Sequence, residues 1–349
     1  MKKKILSLAL AVVMVLSLAA CGSSQPGGST STESAPATSE TPAPAQTYNW
    51  TVSSGLAVGS SWDLGLIRFA ELLNERSNGA ITLTVHSGGT LGSAKECLEG
   101  VQMGSIDFIV ESSASLSNFT KAMSVFDLPY LFKDAKEARA GLSGEAAKGQ
   151  LAELESVGFK GINYWENGIY AIGSVKEVKS LADLSGMRIR SIDSALQADI
   201  YDCLGAMPVV LSWGDIYTSL QQGVVDAVSS TTVPNMYTAN FYEVAPHIIL
   251  SNHGYSPAPL LCNLNLWNSL PADIQQLVID CANEARDYHY TVCDEQMADF
   301  RAKMEAAGAD FTEINAEEWS NAVQPIYEKY VGADGIDPAL VEAIRADIK

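Results

Sequence analysis

Arg188 and Arg190 are the residues of this sequence best suited to bind a small anion. They stand two positions apart in a predicted strand, so their side chains leave the same side of it. No Lys or Arg follows Arg190 until Arg286, in a region otherwise rich in Val, Leu, Tyr, Ser and Thr. A guanidinium offers a planar fork of N–H donors that matches a carboxylate. The alternative interpretation is that both are ordinary surface charges.

Motifs for catalysis and for metal binding are absent from the sequence. It contains no glycine-rich phosphate loop with a Lys, no nucleophile elbow and no HExxH pair. His247 and His253 could share a metal only if the fold brought them together, and no cofactor is predicted. The five Cys beyond Cys21 include no CxxC pair, which argues against a zinc site and a disulfide framework. A secreted hydrolase stays open as an alternative that would need a His beside a Ser or Cys.

The first 21 residues have the pattern of a bacterial lipoprotein signal peptide. Lys2–Lys4 form a charged start, residues 5–20 are an apolar run, and Leu18-Ala-Ala-Cys21 matches the lipobox, in which cleavage leaves a lipid-carrying Cys21. An ordinary signal peptide or a transmembrane anchor is the alternative, although about 16 apolar residues are fewer than the roughly 20 of a membrane span. Acyl chains on Cys21 would hold the protein on the membrane surface, outside the cytoplasm.

The segment after the signal and the overall charge limit the possible partners. Residues 22–46 contain Ser, Gly, Thr, Pro, Ala, Gln and two Glu, which predicts a disordered tether because nothing there could build a core. The whole chain has a formal charge of −19 at pH 7, and removal of three Lys with the signal gives −19 − 3 = −22. Such a charge repels phosphate backbones and argues against nucleic acid as a partner.

Two segments have the same pattern of helix start, glycine, acid and strand. The matched pairs, each separated by 119 positions (for example 226 − 107), are Ser93 and Ser212, Gly104 and Gly223, and Asp107 and Asp226. Helix–glycine–strand joints are common, so one such match could arise by chance. Because the Ser at the helix start, the Gly at the helix end and the Asp before the strand all recur at the same spacing, we predict two similar α/β lobes.

The rest of the chain is predicted to connect these lobes. Residues 169–175 would cross between them in a hinge, and a helix from Pro271 to Gly308 would reach roughly 55 Å, enough to brace both lobes. We predict that lobe I comprises residues 47–168 and 256–295, and lobe II residues 169–255 and 296–349.

A series of short motifs occurs in order along the chain. Its members are Leu18-Ala-Ala-Cys21, Gly79-x-Ile81, Leu91-Gly92, Gly104-x-x-Asp107, Leu128-Pro-Tyr130, Gly186-Met-Arg-Ile-Arg190, Leu204-Gly-Ala-Met-Pro208, Asp215-Ile-Tyr217, Gly223-x-x-Asp226 and Leu270-Pro271. The series resembles the substrate-binding subunit of TRAP (tripartite ATP-independent periplasmic) transporters, the DctP-type solute-binding proteins. The resemblance covers essentially residues 48–330 and is specific because so many motifs keep their order.

The resemblance implies a two-lobed periplasmic-binding-protein-like fold that closes around an organic acid. It implies that Arg190 clamps the ligand carboxylate and that an aromatic residue at Trp213 lines the cleft. It also implies membrane permease subunits as partners and uptake driven by an ion gradient. The protein would then be an extracytoplasmic binding protein and not an enzyme. A sensor subunit with the same fold, which would serve a signalling receptor, is the second alternative.

Two positions depart from the members that bind sugar acids. Tyr170 stands where those members have a second Arg, and Ser230 where they have an Asn. We therefore expect a monocarboxylate with an apolar or aromatic body, bound by Arg190 and packed against Trp213, Tyr170 and Trp165. The other candidate ligand-binding residues lie after predicted strands or on a following helix, where α/β folds bind ligands, and are Ser54, Glu111, Ser112 and Tyr217.

Overall fold

The computed structural model describes residues 46–332 and 335–348. The predicted signal peptide with Cys21, and the tether predicted over residues 22–46 except for Gln46, lie outside the described residues. No helix in the described part of the chain combines the length and the apolarity that a bilayer crossing requires.

Strands and helices alternate along most of the described chain. The strands are β1 (Tyr48–Ser54), β2 (Ile81–His86), β3 (Phe108–Val110), β4 (Phe159–Ile169), β5 (Ala171–Ser174), β6 (Arg188–Ser191), β7 (Met207–Val210), β8 (Ala227–Thr231), β9 (His247–Leu250), β10 (Tyr255–Asn263) and β11 (Asp310–Glu313). The helices are α1 (Ser61–Arg76), α2 (Ala94–Met103), α3 (Ser113–Leu116), α4 (Ala135–Leu142), α5 (Glu145–Glu153), α6 (Ala195–Cys203), α7 (Ile216–Gln221), α8 (Val233–Thr238), α9 (Leu264–Ser269), α10 (Ala272–Ala306), α11 (Ala316–Ala322), α12 (Gln324–Tyr330) and α13 (Pro338–Asp347).

The strands form two sheets, each at the centre of one lobe. The sheet of the first lobe has the order β2-β1-β3-β10-β4, and that of the second lobe has the order β11-β9-β5-β8-β6-β7. β1 pairs in parallel with β2 and β3, as β6 does with β7 and β8. An antiparallel strand follows in each sheet, β10 beside β3 and β5 beside β8. The predicted two-lobed α/β fold is confirmed.

The predicted repeat is present in both lobes, and the capping of one helix start differs between them. The order β1-α1-β2-α2-β3 in the first lobe corresponds to β6-α6-β7-α7-β8 in the second. Gly104 after α2 and Gly223 after α7 have φ angles of 78° and 67°, in the left-handed region that glycine adopts at little cost. Ser93 and Glu96 form the predicted capping box. The hydroxyl of Ser212 caps no helix, and this residue lines a cavity between the lobes.

The two repeated acids hold neighbouring parallel strands together. The carboxylate of Asp107 accepts a hydrogen bond from the backbone N–H of Thr51 on β1, with an N–O distance of 2.7 Å. The carboxylate of Asp226 accepts one from the backbone N–H of Arg188 on β6 at 3.1 Å. Each acid precedes the third strand of its unit, so it fixes the alignment of that strand against the first. Equal spacing in sequence therefore corresponds to an equal role in the fold.

The lobes are joined by the crossing strands and by the long helix. β4 and β5 are interrupted only at Tyr170, so the chain passes between the sheets within the predicted hinge, and it returns between β9 and β10. α10 has 35 residues, a length of about 52 Å. It contacts α1 and β4 of the first lobe and α8 and β11 of the second, which confirms the predicted bracing helix.

The C-terminal helix differs from the predicted lobe boundaries. We predicted residues 296–349 in lobe II, yet α13 packs against α4 and α5 of the first lobe. α4 and α5 are separated at Ser143 and Gly144. Gly144 has no side chain where Asp347 of α13 approaches, so the break gives α13 room to pack.

Apolar cores lie within the lobes and across their junction. In the first lobe α1 and α10 cover one face of the sheet, with Phe69 and Phe108 in contact at its centre. In the second lobe α7 and α8 bury Ile216 and Met236. A larger cluster around Phe126 contains residues of both lobes, so the lobes are joined by packing as well as by the chain.

Asp127 is a buried carboxyl next to the hinge. It is 2% exposed and close enough to Tyr170 to interact with it electrostatically. Ser113 Oγ donates to its Oδ1 at 2.8 Å, while its Oδ2 has no hydrogen-bond partner among the described residues. Burial disfavours the charged form and raises the pKa of Asp127 from the usual 3.8 to about 7.

We expect Asp127 to make folding stability depend on pH. Because its pKa is raised in the folded state from 3.8 to about 7, its stabilising contribution is present below about pH 4 and is lost as the pH rises through 7. The Asp127→Asn variant should therefore gain stability relative to the parent between pH 4 and pH 8, by up to about 4 kcal/mol. Urea unfolding at several pH values measures this difference, and a difference that does not change with pH would contradict the assignment.

Gly65 on α1 allows the helix to approach the sheet. A Cβ there would overlap the ring of Trp165 on β4 and lie 3.1 Å from Cβ of His289 on α10. We expect Gly65→Ala to lower the free energy of unfolding by about 1–3 kcal/mol, since overpacking outweighs the better helix propensity of Ala.

The matched control for this change is Gly149→Ala in α5. No atom lies within 4 Å of the position its Cβ would take. That variant should be as stable as the parent or more stable by up to about 1 kcal/mol. Unfolding of both variants in guanidinium chloride tests whether a Cβ at position 65 is too close to its neighbours. A stabilising effect of Gly65→Ala would refute this.

Candidate functional site

A cavity of about 590 Å³ lies between the lobes, where strands of both sheets end. The first lobe contributes the loops after β1 and β2, the start of α2 and the residues after β3. The second lobe contributes the ends of β6, β7 and β8 and the turn after β7. The charged residues that line the cavity are Lys95, Glu111, Arg190, Asp193 and Asp215.

Arg190, the predicted carboxylate-binding residue, lies at this cavity and is only 3% exposed. Its Nε donates to the carbonyl oxygen of Leu211 at 3.1 Å, and its Nη1 donates to that of Ser229 at 3.3 Å. Its Nη2 has no hydrogen-bond partner among the described residues. Burial lowers the pKa of Arg190 to about 10, which still leaves it protonated at neutral pH. Two backbone carbonyls therefore orient the guanidinium and leave donors for a ligand.

Arg188, the other candidate cation, does not line the cavity. Its Nε and Nη2 each donate to the carboxylate of Asp226 at 3.0 Å, and its side chain is 40% exposed. It begins β6, whereas Arg190 lies towards the carboxyl end of the same strand. Arg188 thus holds β6 to the start of β8, and Arg190 is the cation of this strand that faces the cavity.

Trp213 and Ser230, two of the candidate ligand-binding residues, line the same cavity. The guanidinium carbon of Arg190 lies 5.9 Å from the centre of the Trp213 ring, which also packs on Phe241. Ser230 has a φ angle of 54°, in a region that few residues other than Gly, Asn and Asp adopt. Its Oγ lies 2.8 Å from the hydroxyl of Tyr201, which fixes its orientation. Strained backbone of this kind is concentrated at binding sites.

Glu111 and Ser112 line the cavity from the first lobe. Glu111 Oε1 accepts hydrogen bonds from the backbone N–H of Ser112 at 2.9 Å, from its hydroxyl at 3.1 Å and from the hydroxyl of Ser115 at 2.9 Å. Burial raises the pKa of Glu111, and these hydrogen bonds and the charge of Arg190 oppose the shift. The cavity therefore contains buried ionisable groups of opposite sign, one in each lobe.

Trp165 and Tyr170 lie outside the cavity lining. Trp165 is fully buried, stacks on His289 with ring centres 5.0 Å apart and fills the junction of β4, α1 and α10. Tyr170 is 1% exposed and packs on His253 at 5.6 Å within the hinge. Both side chains are therefore buried in the protein and do not line the cavity.

Ser54 and Tyr217 also lie outside the lining. Ser54 ends β1 and is fully buried, and the next residue, Gly55, reaches the cavity. The hydroxyl of Tyr217 donates to Glu243, which is not a lining residue either, at 3.0 Å. Of the predicted residues, the structure brings together Arg190, Trp213, Ser230, Glu111 and Ser112.

Several lining residues were not predicted from the sequence, although the repeat contained a signal for some of them. Ser93 and Ser212 both line the cavity at equivalent helix starts. Extending that equivalence by two residues would have pointed to Lys95. The unpredicted polar and aromatic lining residues are Trp62, Ser93, Lys95, Ser115, Asn118, Asn167, Asp193, Ser212 and Asp215.

Histidine pairs with Ser and Cys occur away from the cavity. His253 Nδ1 lies 2.7 Å from Ser251 Oγ, and His289 Nε2 lies 3.4 Å from Cys293 Sγ. Both imidazoles are fully buried, none of the four residues lines the cavity, and burial lowers the pKa of His253 to about 3. The described residues also contain no group of three or more His, Cys, Asp or Glu side chains that could hold a metal. The nucleophile arrangement that a hydrolase needs is therefore not found at this cavity in the described chain.

Comparison with known proteins places this chain among transport proteins. Residues 52–333 match the model of the family described as bacterial extracellular solute-binding protein, family 7. The C4-dicarboxylate-binding periplasmic protein DctP of Rhodobacter capsulatus is 31% identical over 81% of this chain and 85% of its own length. The 2,3-diketo-L-gulonate-binding periplasmic protein YiaO of Escherichia coli K12 is 30% identical over 73% of this chain and 78% of its own length.

Solved structures show the same architecture. A TRAP periplasmic solute-binding protein of Xanthobacter autotrophicus with bound β-D-galacturonate superposes with a TM-score of 0.81 at 27% identity, covering 86% of this chain and 99% of that one. A Shewanella oneidensis protein of the same kind with bound succinate gives a TM-score of 0.83 at 25% identity, covering 87% and 100%. The family match, the shared fold and the arginine at the junction of two lobes agree with one another. This chain belongs to family 7 of the bacterial extracellular solute-binding proteins, the substrate-binding proteins of TRAP transporters.

Proposed function

We propose that this protein is a lipid-anchored extracytoplasmic receptor that captures a small organic acid and delivers it to TRAP permease subunits in the membrane. The ligand would bind in the cavity between the lobes, which close around it at the hinge. The observation that supports this most directly is the Arg190 guanidinium, buried at the cavity with Nη2 unpartnered among the described residues.

A carboxylate is the ligand group that this guanidinium fits. Burial of a charge is costly unless a counter-charge or hydrogen bonds compensate. Arg190 has two carbonyl acceptors, and a carboxylate would supply the missing negative charge and further acceptors. Closure of the lobes would exclude water and strengthen the ion pair. The related structures with bound galacturonate and succinate are consistent with an acidic ligand.

The remaining walls favour a ligand with an apolar body. Leu56 and Trp62 face the cavity from the first lobe, and Val210, Leu211 and Trp213 from the second. Among the described residues Arg190 is the buried cation of the lining. The resemblance implies that Tyr170 takes the place of the second Arg of sugar-acid binders. We therefore retain the monocarboxylate hypothesis, with Trp62 and Trp213 as the aromatic contacts in place of Trp165 and Tyr170.

The N-terminal sequence supports attachment to the membrane surface. The lipobox ending at Cys21 and the tether over residues 22–46 would leave the folded part of the protein free to reach a permease. The wider family consists of transport proteins, so a membrane permease is the expected recipient.

Removal of the Arg190 guanidinium should abolish binding. We expect Arg190→Ala to weaken carboxylate affinity at least about 100-fold, since it removes the counter-charge of a buried ion pair. Arg190→Lys should weaken it roughly 10-fold or more, because an ammonium cannot form the planar two-donor contact. Isothermal titration calorimetry with an acid that binds the parent protein measures both effects.

The matched control is Arg188→Lys, the same change two residues away on β6. Lysine can still pair with Asp226 there, and the position does not line the cavity. This variant should bind like the parent. Normal binding by Arg190→Ala would refute the site.

A panel of acids tests the preference for an apolar body. Aromatic and branched-chain monocarboxylates should raise the melting temperature more than galacturonate or succinate at equal concentration, because binding to the native state stabilises it. The reverse order would contradict the monocarboxylate hypothesis while leaving the role of Arg190 intact.

A further inference from the structure

Glu111 is a buried, cavity-lining carboxylate with one oxygen that lacks a hydrogen-bond donor among the described residues. It is 6% exposed and lines the cavity at the end of β3. Its Oε1 accepts the three hydrogen bonds from Ser112 and Ser115, while its Oε2 has no hydrogen-bond partner among the described residues. Gly55 is the cavity-lining residue beside Oε2, and even an added Cβ there would lie 4.0 Å away. The protein thus leaves an acceptor without a donor at its binding site.

Glu111 and Arg190 act on each other without touching. Both residues line the same cavity, and each charge favours the ionised form of the other. No ion pair joins them within 4.0 Å. They belong to opposite lobes, at the ends of β3 and β6. A ligand bound between them would have the N–H donors of the Arg190 guanidinium on one side and the acceptor Oε2 of Glu111 on the other.

The three donors to Oε1 make an ionised Glu111 tenable in spite of its burial. A carboxylate that accepts several hydrogen bonds is stabilised in its charged form. The oxygen that remains needs a donor when closure removes water, since an unpaired buried charge is strongly unfavourable. A ligand ammonium satisfies this requirement with both a hydrogen bond and an opposite charge.

The charge of the whole lining leads to the same class of ligand. Lys95 and Arg190 oppose Glu111, Asp193 and Asp215, which gives 2 − 3 = −1 when all are ionised. Lys95, Asp193 and Asp215 are exposed, so the buried charges of the lining are Arg190 and Glu111 alone. A dicarboxylate would bring the total to −3, and a monocarboxylate to −2. A zwitterion would leave it at −1 and neutralise both buried groups.

We propose that the ligand is an amino acid or a similar zwitterion with an apolar side chain, its carboxylate on Arg190 and its ammonium on Oε2 of Glu111. This inference rests on the proposed function and narrows the class of acid. The apolar side chain would lie against Trp62 and Trp213.

Matched pairs of ligands test the proposal. Leucine, valine, methionine, phenylalanine and tryptophan are each compared with the carboxylic acid lacking the amino group and with the corresponding α-hydroxy acid, by thermal shift and then calorimetry. We expect at least one amino acid to bind roughly 10- to 100-fold more tightly than both of its partners, the range for a hydrogen bond to a charged group.

The Glu111→Gln variant should remove this preference. Glutamine has nearly the same shape and can still accept from Ser112 and Ser115, but it lacks the charge that pairs with ammonium. The affinity for the amino acid should fall roughly 10- to 100-fold, while that for the deaminated acid should stay the same or rise. Glu99→Gln on α2 is the matched control, since it removes one carboxylate from the same lobe at a position that does not line the cavity. It should leave the preference unchanged, and the melting temperatures of the ligand-free variants establish that both fold.

The outcomes separate this proposal from the one on which it rests. Equal or tighter binding of deaminated acids, still dependent on Arg190, would overturn the zwitterion and keep the carboxylate receptor. If the hydroxy acids bind most tightly, Glu111 accepts a hydrogen bond from a ligand hydroxyl. That result would also overturn the zwitterion proposal. If no carboxylate of any kind binds, the proposed function fails together with the inference.

Discussion

The burial of one guanidinium is the constraint on which the rest of the site depends. Arg190 stands at the junction of the lobes, where the backbone carbonyls of Leu211 and Ser229 accept its hydrogen bonds. Those carbonyls orient the charge without neutralising it, so the carboxylate of the proposed ligand would stabilise it further. Under the proposed function that stabilisation would drive closure, because a ligand shifts a conformational equilibrium only through its unequal affinity for the two states.

The duplicated unit explains how such a charge can stand at the meeting point of two sheets. In both lobes an acid before the third strand aligns that strand with the first, Asp107 in one and Asp226 in the other. The parallel strands of each lobe then end at the same edge, and those edges border one cavity. The lobes share this scaffold and differ in the residues at the strand ends, which are Arg190 and Ser230 in the second lobe and Glu111 in the first.

The sequence predicted the architecture well because periodicity and repeated spacing report on the backbone. The paired units, the long helix α10 and the place of Arg190 all follow from such patterns. Trp165 and Tyr170 show the limit. No residue of β4 is exposed, and the chain continues through Tyr170 into the other sheet, so alternation does not tell which side chains face a cavity and which face α10. Trp62 and Lys95 were missed because the local sequence of a helix start does not tell whether its side chains line a cavity, and for Lys95 the comparison of the two repeats offered the available signal.

The charge of the whole protein bears on the kind of acid that can approach the cavity. With a formal charge of −19 at pH 7, the chain repels anions over distances of about the Debye length, roughly 8 Å at physiological salt. Asp193 and Asp215 lie at the cavity itself and act within that distance. A dicarboxylate carries two negative charges, and both are repelled, whereas a zwitterion has no net charge. Its dipole can instead align between Glu111 and Arg190. The acidity of the protein therefore supports the proposal of a ligand that carries its own positive charge.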